Sequence, residues 1–252
     1  MSRGNIFEKI LPNPTDSSEP SRDSGTENLL EQIRSEHESY TTTIEGKEFI
    51  VFPNVYSPKY SNGTAVFAKN FPYQRDEDVL EIGTGIGAIS ILIAYNGARR
   101  VVATDINPDA VRNTQANIAL HHMEERIEVR EGSLYEPLRA DEKFNTIFWN
   151  VPYCFTDENS ISDLEKAVYD PGYRAIEEFI KGAKDHLTET GRVLIGFSTT
   201  LGRVDLLEKF LREAGMSLRI ISETTSDDDP PIKTEIFEAV PEKKDNRDEK
   251  IL

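Results

Sequence analysis

The stretch VLEIGTGIGAISILIA, residues 79–94, joins an apolar strand pattern to an apolar helix pattern through a glycine-rich turn. Gly83 and Gly85 permit a tight turn, and Gly87 allows the helix to begin close to a ligand. About twenty residues after the turn, Asp105 ends a second apolar run, where a carboxylate can accept hydrogen bonds from ribose hydroxyls. The pattern predicts a nucleotide-like ligand at the carboxyl edge of a parallel sheet.

Strand and helix patterns alternate through the following sequence, which predicts a doubly wound, mostly parallel α/β sheet with helices on both faces. The predicted strands are residues 79–82, 100–104, 127–130, 146–149 and 192–197. The predicted helices are residues 86–96, 108–121, 173–187 and 203–214. Two last strands, 217–222 and 233–239, have no helix between them, so they are predicted to pair antiparallel. This domain is expected to span residues 55–240.

The segments outside this domain have different compositions. Residues 1–23 are rich in Pro, Ser and charge, which predicts a flexible arm. Residues 24–54 predict a short helix and a β-hairpin that turns at Glu45–Gly46. This N-terminal section is expected either to cover the active site or to form a homodimer contact. The charged residues 241–252 predict a frayed tail.

Composition limits the partners. The 252-residue chain carries 45 acidic and 29 basic residues, a formal net charge of −16. Such a chain is repelled by phosphate backbones, so nucleic acid is a disfavoured partner. Its apolar runs are shorter than the ~20 residues that span a bilayer, and its single cysteine, Cys154, suits a reducing compartment. We therefore expect a cytoplasmic protein without a membrane partner. The four histidines form no recognised ligand spacing, so no metal is predicted.

The glycine turn alone leaves two cofactor classes open. Gly83, Gly85 and Ala88 also fit the dinucleotide pattern, which keeps a nicotinamide-dependent oxidoreductase as an alternative. Glu81 argues against it, because its charge opposes a pyrophosphate but suits a ligand that carries an amine. Asn150 argues against it too, since it ends the fourth predicted strand at the same sheet edge.

Four motifs together resemble one family. They are EIGTGIGAIS (81–90), ATDINPDAVRNTQANI (103–118), EGSLYEPL (131–138) and WNVPY (149–153). In this order and spacing they resemble class I S-adenosylmethionine-dependent methyltransferases. The last motif resembles the N-P-P-Y signature of amino-group methyltransferases, which include release-factor glutamine methyltransferases and small-domain methyltransferases of RNA bases. The resemblance covers about Val55 to Val240 and implies a Rossmann-like, seven-stranded sheet of order 3-2-1-4-5-7-6.

The resemblance also implies residue roles. Glu81 would approach the methionine amine, Asp105 would hold the ribose, and Ile106 would pack against the adenine. Ser133 stands where the family has an acidic residue that contacts the adenine amine. The full set of implied cofactor contacts is Glu81, Gly83, Thr84, Gly85, Gly87, Asp105, Ile106, Ser133, Leu134 and Asn150. Tyr56 and Thr64 lie in a segment that resembles the loop closing over the cofactor.

The WNVPY motif predicts the catalytic residues Asn150, Val151, Pro152 and Tyr153. Methyl transfer to nitrogen requires the nitrogen lone pair to point at the methyl group, so catalysis can come largely from positioning. The Asn150 side-chain oxygen and the Val151 carbonyl can each accept one N–H of an amine or amide. Tyr153 can stack on the substrate or form a wall. Val151 replaces the first Pro of the family motif, but Pro152 still biases it toward extended conformations.

These observations predict N-methylation of an amine or amide in a small molecule or peptide. The alternatives are methylation of a protein glutamine or an RNA base, a nicotinamide-dependent oxidoreductase, and a non-catalytic cofactor-binding protein. The acidic run Asp227, Asp228 and Asp229 between the last two strands is interpreted either as a solvated turn or as a group that attracts a cationic substrate.

Overall fold

A computed structural model of the chain describes residues 24–227 and 231–241. The predicted flexible arm (1–23), residues 228–230 and residues 242–252 of the predicted tail lie outside these ranges. Within them, the α-helices are α1 Ser24–Ser35, α2 Gly63–Asn70, α3 Ala88–Tyr95, α4 Pro108–Leu120, α5 Arg174–Gly182 and α6 Val204–Glu213. None of these helices has the length and apolar character needed to cross a bilayer.

The strands form one seven-stranded sheet and two small two-stranded sheets. They are β1 Tyr40–Ile44, β2 Lys47–Val51, β3 Asp78–Ile82, β4 Arg100–Asp105, β5 Ile127–Glu131, β6 Phe144–Asn150, β7 Cys154–Thr156, β8 Tyr169–Pro171, β9 Leu187–Phe197, β10 Met216–Thr225 and β11 Lys233–Pro241. The large sheet has the order β5-β4-β3-β6-β9-β11-β10. Counted along the sheet, this is the predicted order 3-2-1-4-5-7-6, which is confirmed.

The central strands are apolar because both faces of the sheet are covered. Val79 points to the face that packs against α2 and α3, whereas Leu80 and Ile82 point to the face covered by α5 and α6. β3, β4, β5, β6 and β9 are parallel neighbours, and β11 pairs antiparallel with both β9 and β10. The doubly wound arrangement places the carboxyl ends of β3, β4 and β6 at one edge, where the predicted site residues follow.

The N-terminal hairpin turns at Glu45 and Gly46, both with positive φ (47° and 72°), as the sequence predicts. It is fastened to α4 by two buried amides. The Ile50 and Phe52 N–H groups donate to Asn117 Oδ1 (2.8 Å) and Asn113 Oδ1 (2.7 Å). Both Nδ2 groups donate back to the Ile50 carbonyl at 2.8 Å. These α4 amides therefore satisfy backbone groups that a neighbouring strand would otherwise pair.

Two predictions of secondary structure are corrected. The helix predicted over 173–187 ends at Gly182, followed by a 3₁₀ turn (Ala183–His186), and Leu187 already begins β9. A Cβ at Gly182 would lie 2.6 Å from Tyr135 Cε2, so this glycine accommodates the Tyr135 ring at the helix end. The parallel pair β7–β8 was not predicted, because three-residue strands are too short to show a period.

Candidate active site

The carboxyl ends of β3, β4 and β6 open into a cavity of about 390 Å³. The predicted site residues on its wall are Tyr56, Thr64, Glu81, Gly83, Thr84, Gly85, Asp105, Ile106, Ser133, Leu134, Asn150, Val151, Pro152 and Tyr153. Asp227 is exposed and is not part of this wall, and Asp228 and Asp229 lie outside the described residues. The fold thus brings residues from four separate motifs to one space.

The glycine turn has a left-handed backbone at both of its first glycines. Gly83 has φ 64° and Gly85 has φ 59°, a region that residues with a Cβ rarely adopt. A Cβ at Gly83 would lie 2.8 Å from Trp149 Nε1, so this glycine lets the indole pack against the turn. At Gly85 nothing lies within 4 Å of that position. The backbone of the turn is therefore open to a ligand at Gly85.

Gly87 allows two helices to pack closely. It has φ 80°, precedes α3, and does not line the cavity. A Cβ there would lie 2.8 Å from Thr114 Cγ2, so the glycine allows α3 and α4 to pack closely. Thr114 Oγ1 also donates to the Gly85 carbonyl at 2.9 Å. Gly87 therefore serves helix packing, and its predicted contact with the cofactor stays a prediction.

Glu81 is a buried acid on the cavity wall, with only 3% of its surface exposed. Its carboxylate accepts hydrogen bonds from Thr84 Oγ1 (3.1 Å) and from Ser90 Oγ. Burial raises the pKa of Glu81 to about 7, in spite of these hydrogen bonds. A cationic group that enters the cavity next to Glu81 would favour its ionised form.

Asp105 ends β4 and is held by backbone donors. Its two carboxylate oxygens accept from the N–H groups of Gly85 and Asn107, both at 2.9 Å. Burial raises the pKa of Asp105 to about 6. The next residue, Ile106, leaves 40% of its surface exposed on the cavity wall, an unusual position for a large apolar side chain. The acid and the apolar surface together suit a ribose and a flat base.

The loop after β5 and the segment between β2 and α2 complete this side of the cavity. Ser133 lines the wall, and its backbone N–H donates to Glu136 Oε2 at 3.3 Å. Tyr56 Oη donates to Ser61 Oγ at 2.7 Å, and burial raises the pKa of the Tyr56 hydroxyl. Thr64 lies in the first turn of α2. Tyr56, Thr64 and Ser133, which the sequence predicted at the site, therefore all line the cavity.

Asn150 is the last residue of β6 and pairs in register with Gly196 of β9. Its side-chain oxygen is buried and has no hydrogen-bond partner among the described residues. A Cβ at Gly196 would lie 3.1 Å from this oxygen, so the glycine makes room for the amide. Val151 N donates to the Gly196 carbonyl at 3.1 Å and continues the pairing with β9. A buried acceptor of this kind costs about 1–3 kcal/mol when nothing pairs with it, so a ligand or water that donates to it would be stabilised.

No sequence pattern predicted the part of the wall that follows the WNVPY motif. Residues of the 150–174 segment that line the cavity beyond Tyr153 are Asn159, Asp163, Lys166, Ala167, Val168, Tyr169, Asp170, Pro171 and Arg174. Lys166 Nζ pairs with Asp163 Oδ1 at 2.8 Å. This segment has no periodic pattern of apolar residues. The one sequence signal that points to it is the apolar face of α1, because that face must pack against another part of the chain.

Helix α1 packs on the 150–174 segment. Leu30 and Ile33, both fully buried, share one apolar cluster with Leu164, Val168 and Tyr169. At the helix ends Tyr169 Oη donates to Glu27 at 3.0 Å, and Arg34 pairs with Glu165 at 3.3 Å. The apolar face of α1 is thus covered by the wall of the cavity, and the alternative, a homodimer contact, stays a prediction.

The profile of the methyltransferase small domain family matches residues 46–219 of the chain. The chain belongs to this family. This methyltransferase is an enzyme that uses S-adenosylmethionine and transfers a methyl group to nitrogen, as the sequence predicted. Within residues 24–227 and 231–241, no group of three or more His, Cys, Asp or Glu is arranged to hold a metal ion.

Curated relatives of the methyltransferase include two protein-modifying enzymes. A protein of Methanocaldococcus jannaschii, which carries the provisional name protein N5-glutamine methyltransferase, is 33% identical over 181 residues, 70% of this chain and 88% of that one. The release factor glutamine methyltransferase of Aquifex aeolicus is 34% identical over 151 residues, 55% of this chain and 53% of that one. The methyltransferase matches nearly all of the archaeal relative but about half of the bacterial one.

Solved structures support the fold of the methyltransferase. A 16S rRNA N2 G1207 methyltransferase of T. thermophilus, in complex with AdoMet and guanosine, aligns with a TM-score of 0.55 at 18% identity, over 82% of this chain and 50% of that one. A ribosomal protein L11 methylase of Lactobacillus delbrueckii aligns with a TM-score of 0.51 at 19% identity, over 72% and 80%. At these identities the similarity bears on the fold alone.

Proposed function

We propose that this enzyme methylates the side-chain amide nitrogen of a glutamine carried by a protein or peptide. The observation that carries the proposal is the position of Asn150 and Val151 at the carboxyl end of β6, on the wall of the cavity that Glu81 and Asp105 also line. The sequence alone favours an amine or amide of a small molecule or peptide. The names of the relatives shift the choice toward the glutamine alternative.

The residues on the cavity wall fit S-adenosylmethionine. Glu81 offers a buried anion to the methionine amine, Asp105 offers acceptors to the ribose hydroxyls, and Ile106 offers an exposed apolar surface to the adenine. Gly85 leaves the turn open beside them. When bound there, S-adenosylmethionine supplies a methyl group on a positively charged sulfur.

The WNVPY motif is suited to hold the substrate amide. The Asn150 side-chain oxygen and the Val151 carbonyl would each accept one N–H, which directs the nitrogen and raises its electron density. The Asn150 oxygen is buried, so the amide group must rotate by a half-turn, which exchanges its oxygen and nitrogen, before the oxygen can accept from a substrate. No hydrogen bond to the oxygen opposes this rotation. These two acceptors would hold the nitrogen so that a carbon–nitrogen bond could form as the carbon–sulfur bond of the cofactor breaks, and one N–H proton would leave to water. Tyr153, whose pKa burial raises, stays neutral as a wall.

A protein or peptide substrate agrees better with the charge than an RNA base does. The net charge of −16 opposes a phosphate backbone, and phosphate contacts supply much of the affinity of RNA-binding proteins. The RNA-base alternative nevertheless stays an arm of the experiment, because RNA methyltransferases occur among the structures with the same fold.

The test uses S-adenosylmethionine labelled in its methyl group, mixed with cell extract and the enzyme. We expect label in the protein fraction, and peptide mass spectrometry should find a methyl group on a glutamine side-chain nitrogen. Label in RNA, or in small molecules alone, would contradict the proposed substrate. The Asn150→Ala variant serves as the control for transfer by other enzymes in the extract.

A further inference from the structure

Two hydrogen bonds hold the last three residues of the WNVPY motif, one on each side of the Val151 carbonyl. At the first end, Val151 N donates to the Gly196 carbonyl of β9 at 3.1 Å. At the second end, the Tyr153 carbonyl accepts a hydrogen bond from the hydroxyl of Tyr173. The two peptide groups between these bonds include the Val151 carbonyl, so the second bond helps to set its direction.

The hydroxyl of Tyr173 joins three elements of the fold. Besides donating to Tyr153, it accepts a hydrogen bond from the backbone N–H of Arg203 at 2.8 Å, just before α6 begins. Tyr173 itself precedes α5. Its side chain has no exposed surface, and the ring of Phe155 packs edge-on against it at 5.7 Å between centroids. The phenol therefore links the WNVPY motif to the starts of α5 and α6.

The backbone at Tyr173 is strained in a way that directs this phenol. Its φ is 56°, a left-handed value that a residue with a large side chain rarely adopts. Buried Asp170 fixes the turn, because its carboxylate accepts from the N–H groups of Ala175 (3.2 Å) and Ile176 (2.9 Å). Strained residues of this kind persist where the surrounding structure over-determines their conformation, and they are frequent at active sites.

The phenol also keeps its proton. Burial raises the pKa of the Tyr173 hydroxyl above its ordinary value, so the hydroxyl remains a donor throughout the pH range in which enzymes work. Because the phenol has one hydrogen, and Arg203 occupies a lone pair of its oxygen, that hydrogen is directed to the Tyr153 carbonyl.

We infer that Tyr173 is a positioning residue for methyl transfer: it orients the WNVPY motif, and with it the Val151 carbonyl, without touching the substrate or the cofactor. This inference rests on the proposed role of the motif. It predicts that loss of the hydroxyl slows transfer and leaves the affinity for S-adenosylmethionine unchanged, since Glu81 and Asp105 lie on segments that Tyr173 does not hold.

The test compares Tyr173→Phe with Tyr73→Phe. The Tyr73 hydroxyl also donates to a backbone carbonyl, that of Ala68 at 2.7 Å, and Tyr73 does not line the cavity. Calorimetry measures the affinity for S-adenosylmethionine, and amide hydrogen exchange is followed at residues 150–156. The rate of methyl transfer is measured in a single turnover, per bound cofactor, with the extract fraction that the wild-type enzyme labels as the acceptor. For Tyr173→Phe we expect affinity within about twofold, at least tenfold faster exchange and about 10- to 100-fold slower transfer.

The Tyr73→Phe variant should change neither exchange at 150–156 nor transfer. Equal behaviour of the two variants, or normal exchange in Tyr173→Phe, would overturn the inference. The exchange experiment needs no methyl acceptor, so it tests the contact between Tyr173 and Tyr153 independently of the proposed function. A wild-type enzyme that labels nothing would count against the proposed function alone.

A second pair of variants covers the case in which Tyr173→Phe does not fold. Arg203→Pro removes the backbone N–H that donates to the Tyr173 hydroxyl. Proline should be tolerated there because the φ of Arg203, −82°, is close to the range of proline. Arg203→Ala is the control, since it keeps the N–H. We expect transfer to slow several-fold in Arg203→Pro relative to Arg203→Ala at equal cofactor affinity. Equal transfer in this pair would contradict the inference.

Discussion

The 79–107 segment and the 150–174 segment both line the cavity, but they are held in place by different means. In the 79–107 segment, adjacent parallel strands and backbone hydrogen bonds fix the side chains, as when Gly85 and Asn107 donate to Asp105. The 150–174 segment depends on contacts from distant parts of the chain, such as α1 and Arg203. The wall proposed for the cofactor is therefore locally encoded, whereas the wall proposed for the methyl acceptor is assembled from tertiary contacts.

The largest effect on the 79–107 segment is expected for Asp105→Ala. It removes the carboxylate proposed for the ribose and leaves the Gly85 and Asn107 N–H groups without their acceptor. We expect the Kd for S-adenosylmethionine to rise about 100-fold, equivalent to about 2.7 kcal/mol. Calorimetry measures this Kd directly, and an unchanged value would show that the ribose lies elsewhere.

The next effect concerns pH and Glu81. Its folded-state pKa of about 7 lies above the ordinary value of 4.5, so the folded protein holds an extra proton between these values and its unfolding free energy falls as pH rises through them. Glu81→Gln should therefore raise Tm at pH 8 but not at pH 4, and weaken S-adenosylmethionine binding about tenfold at pH 8. In the wild type, affinity should fall as pH drops from 8 to 6. Flat affinity across that range would exclude an ionised Glu81 as the partner of the amine.

A smaller effect tests the dependence of the 150–174 segment on α1. Leu30→Ala removes a fully buried side chain from their shared cluster, and Leu211→Ala removes a similarly buried one from α6. Each should cost about 2–4 kcal/mol of unfolding free energy. Only Leu30→Ala should also lower kcat, about fivefold, at equal S-adenosylmethionine affinity. A matching loss of kcat in both variants would mean that α1 has no special relation to the acceptor side.

The smallest effect is expected for the acidic run between β10 and β11. Asp227 does not line the cavity, so the run can act on a cationic substrate only through its long-range field. Changing Asp227, Asp228 and Asp229 together to Asn should raise KM about twofold at low salt, and the difference should vanish at high salt. A change of KM that does not depend on salt would indicate direct contact with the substrate. An unchanged KM at every salt concentration would show that the run is only a solvated turn.

Sequence reasoning was most successful where neighbouring residues determine the structure. The glycine turn, Asp105 and the strand order follow from periodicity and from the rules for parallel sheets, and the structure has them. The helix-packing role of Gly87 was not predicted, because a missing Cβ serves packing against Thr114 as well as it would serve a ligand.

The acceptor side was harder to predict. β7 and β8 have three residues each and no period, and the contact of Tyr173 with Tyr153 joins residues that no local pattern connects. The burial of the Asn150 oxygen depends on Gly196 of a neighbouring strand. Its role in accepting a substrate N–H stays a prediction.

The most direct test of the difference between the two segments is Asn150→Ala, with Kd for S-adenosylmethionine and the single-turnover rate of methyl transfer measured on the same preparation. We expect the rate to fall at least about 100-fold, because the substrate nitrogen loses an acceptor that directs it, while Kd stays within about twofold. An equal loss of rate and cofactor affinity would contradict the assignment of Asn150 to the acceptor side.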